Sequence, residues 1–141
     1  MKLTDITDIA VSGMHAQRVR MGVTASNIAN AETTRTGSGE PYRRRDPVFR
    51  SVSAAGGFGG QLDRALQRVE VARVQADGRD FLTRFDPGHP DADADGFVLM
   101  PRVNMIEEQA NLMSASRAFE ANLMVVTKVR AMADAVMRIG A

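Results

Sequence analysis

The chain has 141 residues, with 18 Lys plus Arg against 17 Asp plus Glu, a formal net charge of +1. That length holds one domain and one core, and so even a balance excludes a histone-like polyelectrolyte or a globally basic nucleic-acid binder. The complete absence of cysteine excludes disulfides, zinc fingers, iron–sulfur clusters and Cys nucleophiles, and aromatics at only 5% predict packing between aliphatic helices.

The first element is a helix over residues 3–30. Ile6, Ile9, Ala10, Gly13, Ala16 and Val23 recur at spacings near three and four. A second stripe of Val11, Met14, Met21, Ala25 and Ile28 lies partly round the other side. Apolar surface on more than one face requires neighbours on several sides. Thr4 or Asp5 is expected to cap the start. The longest apolar run near this end, Ile9-Ala10-Val11, is broken by Ser12. No cleaved secretory signal is therefore expected, and no window reaches the length of a membrane span.

Residues 31–101 lose the helical period. Gly, Pro and Asp punctuate them, with strand candidates at 47–53, 69–75 and 97–101. In the second of these, Val69 and Val71 are expected on one side and Ala72 and Val74 on the other. The segment predicts a small, irregular β-rich insert with a Gly-rich tip at 54–60.

Helix returns over residues 103–139, about 55 Å at 1.5 Å per residue. Met105, Leu112, Phe119, Val126 and Ala133 fall seven apart, while Ala115, Asn122, Val129 and Val136 fill the alternate seam. A period of 3.5 marks helix-on-helix supercoiling, with Asn122 as a polar residue that fixes register. Ile106, Met113 and Met124 lie off that seam. The fold class is thus mainly α with a small β-rich insert: a terminal helix at each end, free to pair in a coiled-coil-like bundle, and the middle projecting. The zones are 1–34, 35–101 and 102–141. The surplus apolar surface favours assembly over a free monomer.

Little in the chain supports catalysis. His15 and His89 are the only histidines, and neither has partners at catalytic or ligand spacing. Asp91-Ala92-Asp93-Ala94-Asp95-Gly96 matches the first half of a calcium loop, but the closing Glu position holds Arg102, after Pro101. An Asx-type turn is the better account of those carboxylates. Arg43-Arg44-Arg45 lacks the second basic cluster and the aromatics that nucleic acid would need, so a solvated strand edge or an inter-subunit salt-bridge surface is expected there.

Several stretches together resemble one family. Ser12-Gly13-Met14-His15-Ala16-Gln17 leads into Arg20 through Thr34, containing Ser26-Asn27-Ile28-Ala29-Asn30. This is similar to the N-terminal signature of the bacterial flagellar axial proteins, where a long helix ends in an Ala-Asn-Ile-Ala-Asn-x-x-Thr type segment. Pro41 to Phe49, then Phe85-Asp86-Pro87-Gly88-His89-Pro90-Asp91-Ala92 through Val98, Pro101 to Asn104, and Arg117 to Asn122 complete a resemblance to proximal rod proteins of FlgC type, from about residue 6 to 139. Ser26 stands where Ala is frequent, and Arg102 where Asn is usual.

The resemblance implies a non-enzymatic structural subunit of the flagellar rod, the drive shaft crossing the periplasm, with its terminal helices lining a helical tube. It implies no cofactor and no metal. The implied partners are copies of itself, other rod proteins, the membrane-ring junction protein with its surrounding rings, and the flagellar type III export apparatus that would pass the chain unfolded. The subunit interface is then expected on Ile6, Ile9, Ala10, Gly13, Met14, Ala16, Met21, Val23 and Ile28 of the first helix. On the last helix it falls on Met105, Leu112, Ala115, Phe119, Asn122, Val126, Val129 and Val136. Asn27, Asn30 and Thr33 form the helix-exit motif, and Asp86, Pro87, Asp91, Asp95 and Gly96 the insert turn. A soluble coiled-coil adaptor or export chaperone, sharing the heptads, is the competing class, and a calcium sensor on Asp91, Asp93 and Asp95 a further one.

Overall fold

The structure, a computed structural model, describes residues 3–53 and 66–139; the expected Gly-rich tip at 54–60 lies outside these. Helix α1 spans Leu3–Ala29 and helix α2 Met105–Ile139. Between them lie β1 (Arg45–Ser53), β2 (Gln67–Ala76), β3 (Leu82–Phe85) and β4 (Phe97–Met100), paired as two separate antiparallel ribbons, β1–β2 and β3–β4.

The two helices form an antiparallel hairpin. Asn27 meets Glu108, and Arg20 Nη2 donates to Asn111 Oδ1 at 3.1 Å. Gly13 faces Asn122, and Thr4, Thr7 and Asp8 share a groove with Val129 and Ala133. As the number on α1 falls, the number on α2 rises. Charge suits this direction: Asp5 and Asp8 lie toward the α2 end that carries Lys128, Arg130 and Arg138. Close approach is made by small residues. Ala10, Ala16 and Ala115 are buried, and a Cβ added at Gly13 would stand 3.0 Å from the Asn122 amide. Val126 and Val129 complete the seam.

The helix ends follow local chemistry. Asn104 caps α2, its Oδ1 accepting from the Ile106 and Glu107 N–H groups at 3.1 and 3.4 Å. Glu107 and Glu108 then place carboxylates in the first turn, where the helix dipole favours them. At the other end of the chain α1 already runs from Leu3, so Thr4 and Asp5 lie inside its first turn rather than at the cap.

The β1–β2 ribbon packs against α1. Ser12 Oγ donates to the Ile9 carbonyl at 2.7 Å and accepts the Val69 N–H at 3.2 Å, so α1 covers part of the β2 edge. The ladder pairs Ser51 with Val69, Phe49 with Val71 and Pro47 with Val74, with a register shift at Val48/Phe49. Residues directly opposite share a face, and the shift leaves Ala72 as the extra residue of a bulge. Val74 therefore lies on the same face as Val69 and Val71, not opposite them as simple alternation predicts. Strand β3 lies outside the strands that the sequence predicts. It exists by pairing Leu82–Phe85 with β4, where Val98 and Met100 point inward and are buried.

Candidate functional site

The most tightly specified part of the molecule is the junction where α1 ends, the insert departs and α2 begins. Asn27 is 1% exposed at its centre. Its Nδ2 donates to the Arg45 carbonyl at 2.8 Å and to Glu108 Oε2 at 3.0 Å. Its Oδ1 accepts from the Tyr42 hydroxyl at 2.9 Å and from the Arg45 N–H at 3.0 Å. Both amide donors and both acceptor lone pairs are thereby used. Toward Arg45 the carboxamide bonds N–H and C=O together, as a neighbouring strand would. One helical side chain thus stands in for a strand beside β1.

Glu108, also 1% exposed, receives Asn27 on Oε2 and Arg44 Nε on Oε1, the latter at 2.6 Å. Arg44 pairs with Asp46 as well. Burial works against the Arg44 charge, but the Glu108 hydrogen bond and the nearby carboxylates outweigh it and raise its pKa. The junction so joins α1, β1 and α2 by charge-assisted bonds in a dry setting.

The exit motif holds the chain as it leaves α1. Asn30 Nδ2 donates to the Ser26 carbonyl at 2.9 Å, and Thr33 Oγ1 donates to Asn30 Oδ1 at 3.2 Å. Tyr42 N–H then returns to the Thr33 carbonyl at 3.0 Å, closing the loop below the helix. Thr34 Oγ1 donates to Asp91 Oδ2 at 2.7 Å and Arg35 lies 3.7 Å from Asp91, tying the exit to the insert turn.

In that turn Asp93, not Asp91 or Asp95, is the Asx residue: its Oδ1 accepts the N–H groups of Asp95 and Phe97 at 3.0 and 2.8 Å. Asp86 N–H donates to the Gly96 carbonyl at 2.9 Å, closing the base. Gly96 has φ 81°, and a Cβ there would sit 3.0 Å from the Phe85 ring, so both backbone and space call for glycine. Pro87 packs on the same glycine. His89 Nδ1 accepts the Asp91 N–H at 3.1 Å. Among the described residues no group of three or more His, Asp or Glu side chains is arranged to hold a metal ion.

Within the chain the arginine run is engaged rather than bare, with Arg44 largely covered and Arg45 left exposed. Arg43 stacks over Phe81 at 4.2 Å, Arg44 serves Glu108, and Arg45 lies 5.8 Å from the Tyr42 ring. The insert folds back over these cations, so all three find partners within the chain. At the neighbouring turn, two-point hydrogen bonding from Arg79 holds the Asp77 carboxyl at about 2, well below its ordinary 3.8.

The expected interface residues divide by position. Ala10, Ala16, Ala115, Val126 and Val129 are buried in the hairpin. Ile6, Ile9, Gly13, Met14, Met21, Val23, Ile28, Leu112, Phe119 and Asn122 are half-buried at its flanks, and Met105 and Val136 are exposed. Tyr42, Arg44 and Glu108 complete the junction without being marked by sequence pattern as site residues, although Tyr42 beside a basic run and an acid in the first turn of a helix are visible signals. A large apolar surface stays open on α2, with Ile106 79%, Met113 57%, Met124 61% and Met137 76% exposed.

Comparison with known proteins points the same way at both ends of the chain. Residues 8–35 match the family described as "Flagella basal body rod protein". Residues 94–139 match "Flagellar basal body rod FlgEFG protein C-terminal". The flagellar basal-body rod protein FlgC of Salmonella typhimurium is 40% identical over 132 residues, covering 94% of this chain and 93% of that protein. FlgC of Agrobacterium fabrum is 37% identical over 91% of this chain and 88% of its own length, and FlgC of Bacillus subtilis 34% over 94% and 95%.

Proposed function

The chain belongs to the FlgC family of flagellar basal-body rod proteins, and from that premise we propose that it bears torque in the part of the rod that crosses the periplasm. It is a structural subunit of the flagellar rod and not an enzyme. Load is carried by many helix–helix contacts in parallel, between copies of this chain and with other rod proteins. The half-buried flanks of the α1–α2 hairpin and the open face of α2 supply those contacts, continuing the seam in a coiled-coil manner. Each Å² of apolar area so covered contributes about 25 cal/mol. The hairpin lines the tube, and residues 35–101 project toward the neighbouring subunit and the surrounding rings.

The observation that carries this reading is the exposed apolar surface of α2 in the isolated chain, Ile106 and Met137 above all. A helix apolar on both sides is at rest only in company. The same surface favours a chain that stays loosely helical until it reaches its place. That suits passage in an unfolded state through the type III export apparatus. No helix among the described residues is long and apolar enough to cross a membrane.

Circular dichroism across a dilution series tests the reading. Helicity should fall as the chain is diluted and recover on assembly. A fully helical species that does not associate at high dilution would instead favour a free-standing coiled-coil adaptor. Isolated basal bodies that lack this chain would refute its place in the shaft.

A further inference from the structure

The chain displays two unlike surfaces that nothing among its described residues covers. The first is the outer face of the β3–β4 ribbon. Strand pairing sets Phe85 opposite Phe97 and Thr83 opposite Leu99, on the face turned away from buried Val98 and Met100. The two rings meet edge to face at 5.3 Å, yet Phe85, Phe97 and Leu99 remain 64%, 42% and 50% exposed. Beside Phe97 and Leu99 opens a groove of ≈ 460 Å³ whose rim includes Asp91 and Asp93. The acids of the turn outnumber its nearby arginines, Arg35 and Arg84, which are already paired to Asp91 and Asp86.

The second surface is the back of α2. Met113, Arg117, Met124 and Lys128 succeed one another at spacings of four, seven and four, one stripe on the side away from α1. Met113 and Met124 are more than half exposed. Neither Arg117 nor Lys128 has an ion pair among the described residues. Glu120, the one acid alongside, is bonded to Ser116.

The two surfaces fit one another in chemistry: an exposed apolar patch of Phe85, Phe97 and Leu99 beside a groove with acids on its rim, and a pliable methionine ridge flanked by cations. We propose that the β3–β4 groove of one copy receives the back of α2 of a second copy. This rests on the rod reading above and gives it a specific contact. The two surfaces differ, so the contact is heterologous. Repeated from copy to copy it propagates an open array rather than closing a dimer.

The test replaces Leu99, an exposed residue, with a benzophenone photo-crosslinking amino acid in cells that build flagella with this chain. Irradiated basal bodies should yield a product of twice the chain mass whose cross-linked peptide contains Met113 or Met124. Met113→Asp should abolish that product and weaken retention about 10- to 100-fold, the equivalent of one buried methionine. Arg117→Glu should weaken retention about two- to fivefold, and Arg117→Lys should restore it. A cross-link to another rod or ring protein, or basal bodies that contain the chain but give no such product, overturns the docking and leaves the rod reading standing. Basal bodies without the chain overturn the rod reading itself.

Discussion

The helical seam and the helix–insert junction hold the same two helices together in opposite ways. Along the seam Ala10, Gly13, Ala16, Ala115, Val126 and Val129 meet by small, non-directional contacts, and Gln17 Oε1 is buried without a partner among the described residues. At the junction Asn27 places every hydrogen-bonding position, and Glu108 uses both oxygens. Non-directional contacts tolerate sliding and substitution of similar volume. A saturated polar network in a dry site tolerates one geometry. The seam supplies cohesion, and the junction fixes the angle at which the insert leaves the hairpin.

Four measurements break or sharpen that contrast. The largest effect is expected for Asn27→Leu, which keeps the volume and removes all four hydrogen bonds. It leaves Glu108 Oε2 and the Arg45 peptide without their partner and Tyr42 with only the longer contact to Ser26, and should cost about 3–5 kcal/mol per subunit. The chain should then be missing from isolated basal bodies, and motility lost. Glu108→Gln comes next at about 2–3 kcal/mol, because Arg44 loses its buried partner but keeps Asp46. It should read as earlier release of the chain from basal bodies in a urea series.

On the seam the sign reverses. Gln17→Met removes an orphaned oxygen and keeps the shape, so it should strengthen the hairpin by about 1 kcal/mol and delay urea release. If Gln17→Met weakens retention as much as Glu108→Gln does, the distinction between the regions fails. The smallest effect belongs to the Asp77–Arg79 pair. Its folded pKa is depressed to about 2 from an ordinary 3.8, so its stabilisation is present above pH 3.8 and fades as pH falls through about 2. A carbon-13 titration of the Asp77 carboxyl should give a midpoint near that lower value. Arg79→Ala should return it toward the ordinary one.

Sequence pattern exposes what repeats and conceals what depends on a distant partner. Both helices were legible because their apolar residues recur over many turns, and three strands because β-formers stand between turn residues. Strand β3 offers four residues with no alternation to see, and only β4 makes it a strand. The bulge that turns Val74 to the side of Val71 arises in the pairing with β1, where Pro47 and Phe49 set the register. Asn27 was legible as part of a helix-exit motif, since amides commonly end helices. Its bonds to Arg45 and Glu108 join residues 18 and 81 positions away and leave no local trace. Glu108 resembles any acid in a first helical turn, and only its burial sets it apart.

The Ser12 hydroxyl that accepts the Val69 N–H has a bearing on how such a protein is allowed to polymerise. A two-stranded ribbon with a bare margin invites foreign strands to extend it, and a subunit crowded among its own kind meets many. With a helix lying against that margin and one of its amide groups already engaged, sideways recruitment by backbone pairing loses a foothold. Growth is left to side-chain surfaces, which can tell one sibling from another, so a shaft lengthens where a tangle would otherwise begin.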